Sequence, residues 1–353
     1  MASVLDFGQE TTAEDVAKRF SSRITGKTIL ITGVSPNGLG AAACRALAPY
    51  GPAVIIMTAR DPSKPRQVAD SILTSLPAGS TPPRLKVVGL DLSSLTSVRR
   101  GAAIIQRLAA PHIDIMINNA GVMALPERML AEETHVEMHL AVNFLGHFLL
   151  TTALLPQLCR VEAAAAQEGP LNGGSDDRAA RVVNITSAGF NIAPFRFSDY
   201  NFEGRTPLPP NETLDITAAE AAGFHGLKPD GSGYLPFLAY LQSNVAKMLF
   251  TEGLVERYGR NGIEALSASP GVVVTDLQRH LPKDFRNPRM FYKTPSQGVA
   301  SFLVAALDPA LSVHPAAYID DCQLAETVEH VRSKSASRRL WQLAEDLSNP
   351  AKY

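Results

Sequence analysis

The stretch Thr28-Ile29-Leu30-Ile31-Thr32-Gly33-Val34-Ser35-Pro36-Asn37-Gly38-Leu39-Gly40 decides the fold. A β-branched run ends in a glycine cluster, and a helix-forming stretch over 40–50 follows. Glycine lets the chain turn sharply, bringing backbone N–H groups and a helix N-terminus close enough to hold a pyrophosphate. A glycine cluster alone can serve only the steric needs of a strand-to-helix turn. As the opening of a βαβ array it reads as a dinucleotide loop, with Gly33, Ser35, Asn37, Gly38, Leu39 and Gly40 as its contacts.

Outward from that stretch, short apolar runs over 53–58, 85–90, 113–117, 181–186, 262–268 and 316–319 alternate with helix-period stretches over 94–108, 133–158, 238–258 and 296–306. With 28–32 they predict seven strands in a doubly wound parallel α/β sheet of Rossmann type, helices on both faces. Residues 1–25 read as an N-terminal extension and 26–353 as a single dinucleotide-binding and catalytic domain. Two stretches break the rhythm: 162–178, rich in Ala, Gly and Asp, and 191–232, rich in Pro, Gly and polar residues. Both read as loop insertions, the second long enough to border a site.

Thirty-three Lys and Arg against 34 Asp and Glu give the 353-residue chain a net charge of −1, which supplies no electrostatic footprint for nucleic acid or an anionic membrane. No apolar run reaches the ~18 residues of a membrane helix. Residues 1–23 carry Asp6, Glu10, Glu14 and Asp15 and lack a signal peptide's apolar core. A cytoplasmic protein with a small-molecule partner is expected. Cys44, Cys159 and Cys322 are odd in number and far apart, so neither a disulfide framework nor a zinc site is supported, and they read as buried thiols. His135 and His139, spaced i, i+4, lack the acidic partner of a zinc-protease motif and read as surface or packing residues, so no metal is expected.

After the second strand comes Thr58-Ala59-Arg60-Asp61. A carboxylate ending that strand would bind a ribose 2′-hydroxyl, whereas Arg pairs with a 2′-phosphate. Arg60 therefore points to NADP (NADPH) as cofactor, with Asp61 as the competing feature.

Further ordered motifs follow: Leu90-Asp91-Leu92, Asn118-Asn119-Ala120-Gly121, Val142-Asn143-Phe144-Leu145-Gly146-His147-Phe148, Val183-Asn184-Ile185-Thr186-Ser187, Pro270-Gly271-Val272-Val273-Val274-Thr275, Lys293-Thr294-Pro295-Ser296-Gln297-Gly298 and Arg339-Leu340-Trp341. Together with the glycine loop, which carries one extra residue, they resemble the short-chain dehydrogenase/reductase family, in its retinol-dehydrogenase-like branch. The resemblance spans Gly26 to about Asp346. It implies that Asp91, with Leu92, meets the adenine and that Asn119, Ala120 and Gly121 belong to the cofactor site. Pro270, Gly271, Val273 and Thr275 would pack on the nicotinamide. It also implies Asn143 and Ser187 as catalytic residues, and a homo-oligomer.

The family's catalytic Tyr-x-x-x-Lys is altered here: the matching segment reads Tyr240-Leu241-Gln242-Ser243-Asn244-Val245-Ala246-Lys247, with Lys and Asn exchanged relative to the branch. In the family mechanism the Lys cation lowers the phenol pKa and holds the nicotinamide ribose; a neutral Asn can do only the second. Residues 240, 244 and 247 share one helix face, and a helical Lys side chain points toward the N-terminus. Seven residues rise roughly 10 Å, more than a Lys side chain spans, so Lys247 needs a bent helix or a bridging water to reach the phenol. Catalysis and a solvated helix-end position both remain open for it. Tyr200 and Tyr234 are alternative phenols.

The activity expected is NADP-dependent reduction of a ketone or aldehyde, or the reverse alcohol oxidation, on a bulky apolar substrate in natural-product biosynthesis. Bulk is inferred from 191–232 and 280–293, whose Phe195, Phe197, Phe285, Met290, Phe291 and Tyr292 line a pocket mouth or simply pack. The alternatives are a non-redox enzyme on the same fold (isomerase, dehydratase or cyclase) and a dinucleotide-sensing binding protein.

Overall fold

The computed structural model describes residues 7–76, 82–159, 179–205, 207–214, 217, 234–281 and 291–349. β1 (Thr28–Thr32), β2 (Val54–Ala59), β3 (Arg84–Gly89), β4 (Ile115–Asn118), β5 (Ala180–Ile185) and β6 (Ile263–Ala268) run parallel in the order β3-β2-β1-β4-β5-β6. β7 (Val272–Val273) and β8 (Tyr292–Lys293) form a separate parallel pair. β9 (Tyr318–Asp320) joins β6 in parallel, and β10 (Gln323–Ala325) closes the sheet antiparallel to it. The expected seven-stranded sheet is therefore eight-stranded. The turn responsible puts Asp321 and Cys322 at φ 48° and 63°, a left-handed pair that reverses the chain within two residues. A three-residue edge strand is too short to show period-two alternation.

α1 (Ala13–Arg19), α2 (Leu39–Leu47), α3 (Ser63–Ser75), α4 (Leu95–Leu108), α5 (138–153, its middle turn Ala141–Leu145 π-helical), α6 (Pro236–Tyr258), α7 (Pro295–Leu307) and α8 (Lys334–Ser348) cover the sheet. Strand alternation sorts them into two layers. Ile29, Ile31, Ile55 and Ile117 face α1, α2, α3 and α7, while Leu30, Ile56, Met116 and Val182 face α4, α5, α6 and α8. α1 lies within residues 1–25 and packs into the first layer, with Ala13, Val16 and Ala17 fully buried and the Ala13 N–H donating to Ser296 Oγ (3.0 Å).

Three details differ from the sequence expectation. α5 begins at Met138 and not near 133, because 129–137 folds back on itself: Ala131 N–H donates to Val136 O at 2.8 Å and His135 takes φ 52°. His135 is thus exposed in a turn while His139 is buried in the helix, so the two share no helix face. Glu133 instead accepts from the Thr96 N–H at the start of α4 (3.0 Å). Second, Phe195 and Phe197 stack on each other (4.7 Å) against the second layer, with the Arg339 guanidinium 4.3 Å over Phe197; they pack and do not line a pocket mouth. Third, Cys159 is only half-buried, although Cys44 and Cys322 are buried. The stretch 162–178, residues 206, 215–216 and 218–233, and Phe285 and Met290 lie outside the described residues.

Around the sequence's single Trp, Trp341 of α8 meets Phe148 of α5 at 4.9 Å and Phe250 of α6 at 5.8 Å. Removing Phe250, only 2% exposed, opens a cavity among these rings. Phe250→Ala is expected to lower unfolding free energy by about 3–5 kcal/mol, measured by chemical denaturation with Trp341 fluorescence as the probe.

Candidate active site

At the carboxyl ends of the strands, where open α/β sheets hold ligands, lies a cleft of ≈ 740 Å³. Its floor is the β1–α2 turn. Gly33 has φ 72°, and a Cβ there would sit 2.6 Å from Ala120 Cα, so the turns after β1 and β4 meet backbone to backbone. α2 starts at Gly38 with no side-chain cap, which leaves its first N–H groups available to an anion. The Arg45 guanidinium donates to Pro36 O (3.2 and 3.3 Å), clamping the turn that carries the extra residue. Gly33, Ser35, Gly38 and Leu39 line the cleft; Asn37 is exposed outside it, and Gly40 is buried beneath Gly33 O.

Arg60, Asp61 and Lys64 edge one end. Asp61 Oδ1 accepts the Ser63 N–H (2.9 Å) at the start of α3, and its bonds to Ser63 hold the carboxyl below the usual range. That carboxylate serves its own helix, while Arg60 and Lys64 remain exposed at the cleft edge. Asp91 Oδ1 accepts from Ser93 N (2.9 Å) and Ser93 Oγ (2.6 Å), with Leu92 and Asp91 both on the cleft wall. Pro270 and Thr275 line the opposite side; Gly271 backs onto the Lys293 stem and Val273 is buried against Gly298, so neither lines it.

Deeper in, one hydrogen-bonded assembly joins β1, β4 and α5. Thr32 Oγ1 accepts the Asn119 and Ala120 N–H groups (both 3.0 Å) and donates to His147 Nε2 (2.8 Å), while His147 Nδ1–H donates to Asn143 O (3.0 Å). This is the pattern of a neutral imidazole, and burial together with the nearby Lys247 charge holds the His147 pKa down to about 3. Asn143 Oδ1 accepts the Val122 N–H (2.8 Å), and Nδ2 donates to Val122 O (3.0 Å) and Ser243 Oγ (2.9 Å). Ser243 in turn donates to Tyr240 O (2.7 Å).

Tyr240, Asn244 and Lys247 all reach the cleft wall. Tyr240 is half-buried; burial raises its phenol pKa, and hydrogen bonds with Asn244 and with Ser187, at the end of β5, oppose the rise. Asn244 Nδ2 also donates to Tyr240 O (3.0 Å). Lys247 is 5% exposed, donates to Ile185 O (2.7 Å), and burial lowers its pKa to about 7. Its turn of α6 is held by Thr251, which donates to Lys247 O (2.9 Å) and accepts from Asn184 of β5 (2.9 Å).

Sequence reasoning missed Lys64, Thr32 and His147 as members of the site. Lys64 falls four residues after Arg60 in an unassigned helix, and His147 stood inside a quoted motif but touches the site only through Thr32 and Asn143. The rest of the wall is mixed: Leu125, Met129, Met138, Val142 and Leu277 are apolar, while Thr186, Asp276, Arg279 and His280 are polar. Among the described residues no group of three or more His, Cys, Asp or Glu is placed to hold a metal, and no helix is long and apolar enough to cross a membrane.

A doubly wound sheet with a glycine turn, a cleft over its strand ends and a Tyr-bearing helix on the cleft wall defines a dinucleotide-binding enzyme class. The chain belongs to the short-chain dehydrogenase family, whose model matches residues 27–201. It is 38% identical over 265 residues to the oxidoreductase fscI of Fusarium equiseti, covering 75% of this chain and 94% of that one. It is also 32% identical to polyprenol dehydrogenase of Mus musculus (90% and 82% covered) and 30% to retinol dehydrogenase 11 of Homo sapiens (92% and 86%). The NADPH-bound carbonyl reductase from chicken fatty liver has the same fold, with TM-score 0.56 at 18% identity over 86% of this chain and 100% of that one. The protein is thus an oxidoreductase of the retinol-dehydrogenase-like branch, in a family that binds a nicotinamide dinucleotide.

Burial of Lys247 gives a signed pH test on the apoprotein. With the folded pKa at about 7 and the unfolded one at 10.5, the unfolded chain alone holds the proton between those values, so stability rises with pH through that window. Lys247→Met is expected to stabilise the protein most below pH 7, the gain shrinking steadily toward pH 10, as read by thermal melts across the range.

Proposed function

We propose that this protein is an NADPH-dependent reductase of ketones or aldehydes, or the corresponding alcohol dehydrogenase, acting on a bulky apolar substrate. The observation carrying this reading is that Tyr240, Asn244 and Lys247 share a cleft wall with the glycine turn. The turn fits a dinucleotide, since Gly33, Ser35, Gly38 and Leu39 line the cleft and an uncapped helix start faces it. Bound there, the dinucleotide supplies or accepts the hydride. The Tyr240 hydroxyl donates the proton to the substrate oxygen and Ser187 Oγ holds that oxygen. Lys247 supplies, one turn further along α6, the positive charge that Asn244 lacks, and Asn244 stabilises the phenolate by hydrogen bonding. Asn143 holds the loop after β4 and the Tyr240 turn in register. The apolar part of the wall, with Met129 and Met138, suits a preformed carbon skeleton, which supports tailoring of a biosynthetic intermediate.

The non-redox reading retains one supporting observation, the Asn at 244 where the family has Lys. Turnover separates the two: product without net NADPH oxidation selects the non-redox enzyme.

NADPH is expected to bind more tightly than NADH, with Arg60→Ala narrowing the gap about tenfold or more, as one charge-assisted phosphate contact is worth. Titration calorimetry reads both, and equal wild-type affinities would remove the role given to Arg60. Tyr240→Phe is expected to cut kcat by roughly 10²–10⁴. Lys247→Ala should lower kcat and move the pH profile of alcohol oxidation upward, because the phenol loses its nearby cation; an unmoved profile assigns Lys247 to packing.

A further inference from the structure

A second set of buried titratable side chains lies behind Tyr240 and has no part in the chemistry above. Glu137 and His139 are both 0% exposed, and Tyr234 is 3% exposed. The Glu137 carboxylate collects three donors: His139 Nδ1–H at 2.6 Å and the Tyr234 hydroxyl at 2.9 Å on Oε1, and Leu140 N–H at 3.1 Å on Oε2. His139 Nε2 accepts the Leu125 N–H (3.3 Å), and Glu137 N–H donates to Asn201 Oδ1 (2.8 Å). The His139 ring meets the Tyr240 ring edge-on, with centroids 6.4 Å apart at 67°.

The placement of these residues gives them a task. Glu137 caps α5, the helix that carries Asn143, and Tyr234 stands just before Pro236, where α6 begins. α6 starts from Leu235 with no side-chain cap, and Tyr240 is only its fifth residue. A reactive phenol so near an uncapped helix start needs another restraint against fraying. We propose that Glu137, His139 and Tyr234 form a clamp that positions Tyr240 by pinning the start of α6 to the start of α5. The proposal rests on Tyr240 being the proton donor. Together with the Asn143–Ser243–Tyr240 O link, it gives two ties between the helices, one on each side of the phenol-bearing residue. A buried carboxylate costs more than an apolar side chain of its size, so its retention with every donor in place fits a role in fixing geometry.

The test uses full-length protein labelled with ¹³Cζ-tyrosine, the Tyr240 resonance being assigned by its absence in Tyr240→Phe. Tyr234→Phe keeps the ring and its edge-on contact with Phe202 (5.8 Å) and loses only the hydroxyl; Glu137→Gln is the second variant, should the first fold poorly. The expected result is a shifted or broadened Tyr240 resonance in both. In turnover, kcat should fall roughly ten- to a hundredfold, as misplacement of a reacting group does, while the Kd for NADPH holds. A Tyr240 resonance and a kcat unchanged from wild type overturn the clamp. Full activity in Tyr240→Phe overturns the proton-donor reading instead, and the resonance then decides the clamp by itself.

Discussion

The side chain of Asn143 makes three hydrogen bonds, and all of them join separate parts of the chain. Its oxygen and one N–H take the two backbone groups of Val122, and the other N–H goes to Ser243 on α6. Asn143 is 100 residues from Ser243 and 21 from Val122, so nothing local aligns the loop after β4 with the helix carrying Tyr240. A π-helical turn at Ala141–Leu145 accompanies the arrangement: it alters the regular ladder of α5 where Asn143 must face the loop and where Asn143 O accepts from His147. The contact holds because the amide is buried, and a buried polar group that loses its partner costs more than the bond contributes when made.

Charge follows from the same crowding. Lys247 is largely buried at the cleft wall, where its ammonium is poorly solvated, and Nζ donates to Ile185 O. His147, close enough to feel that charge, stays neutral and serves as a hydrogen-bonded strut between Thr32 and Asn143. Asn244 stands one turn after Tyr240 on α6 and Lys247 one turn further, all three on the cleft wall. Burial favours the neutral phenol of Tyr240, while its hydrogen bonds with Asn244 and Ser187 favour the phenolate.

The cleft has a basic edge, at Arg60 and Lys64, and a wall that carries Met129 and Met138. Arg60 and Lys64 are exposed there, and the Asp61 carboxylate beside them accepts the Ser63 N–H. Leu125, Met129, Met138, Val142 and Leu277 add apolar surface to the cleft, and methionine side chains adapt to more than one shape of ligand.

Much of this was legible in the residues. The run Thr28 to Thr32 with its glycine turn, and the repeated β-branched runs after it, declare a parallel sheet buried on both faces, because buried strands must be apolar on both sides and a sharp turn into a helix needs glycine. The exchange of Lys and Asn at 244 and 247 was visible as well, and helix periodicity put both on one face with Tyr240. Other features were invisible for physical reasons. β10 is three residues long and hangs on a left-handed pair at Asp321 and Cys322, residues with no strong turn signal of their own. The start of α5 moved from 133 to 138 because 129–137 folds back on itself, with Glu133 bound to the start of α4, contacts that periodicity cannot foresee. His139 looked like a packing residue until the fold brought Glu137, Tyr234 and Tyr240 around it. Local sequence thus determined most of the elements and which side chains stand as candidates for the site, since those depend on side-chain type and spacing. Only tertiary structure decided which buried polar groups become partners, since that depends on which segments the sheet order brings within hydrogen-bond reach.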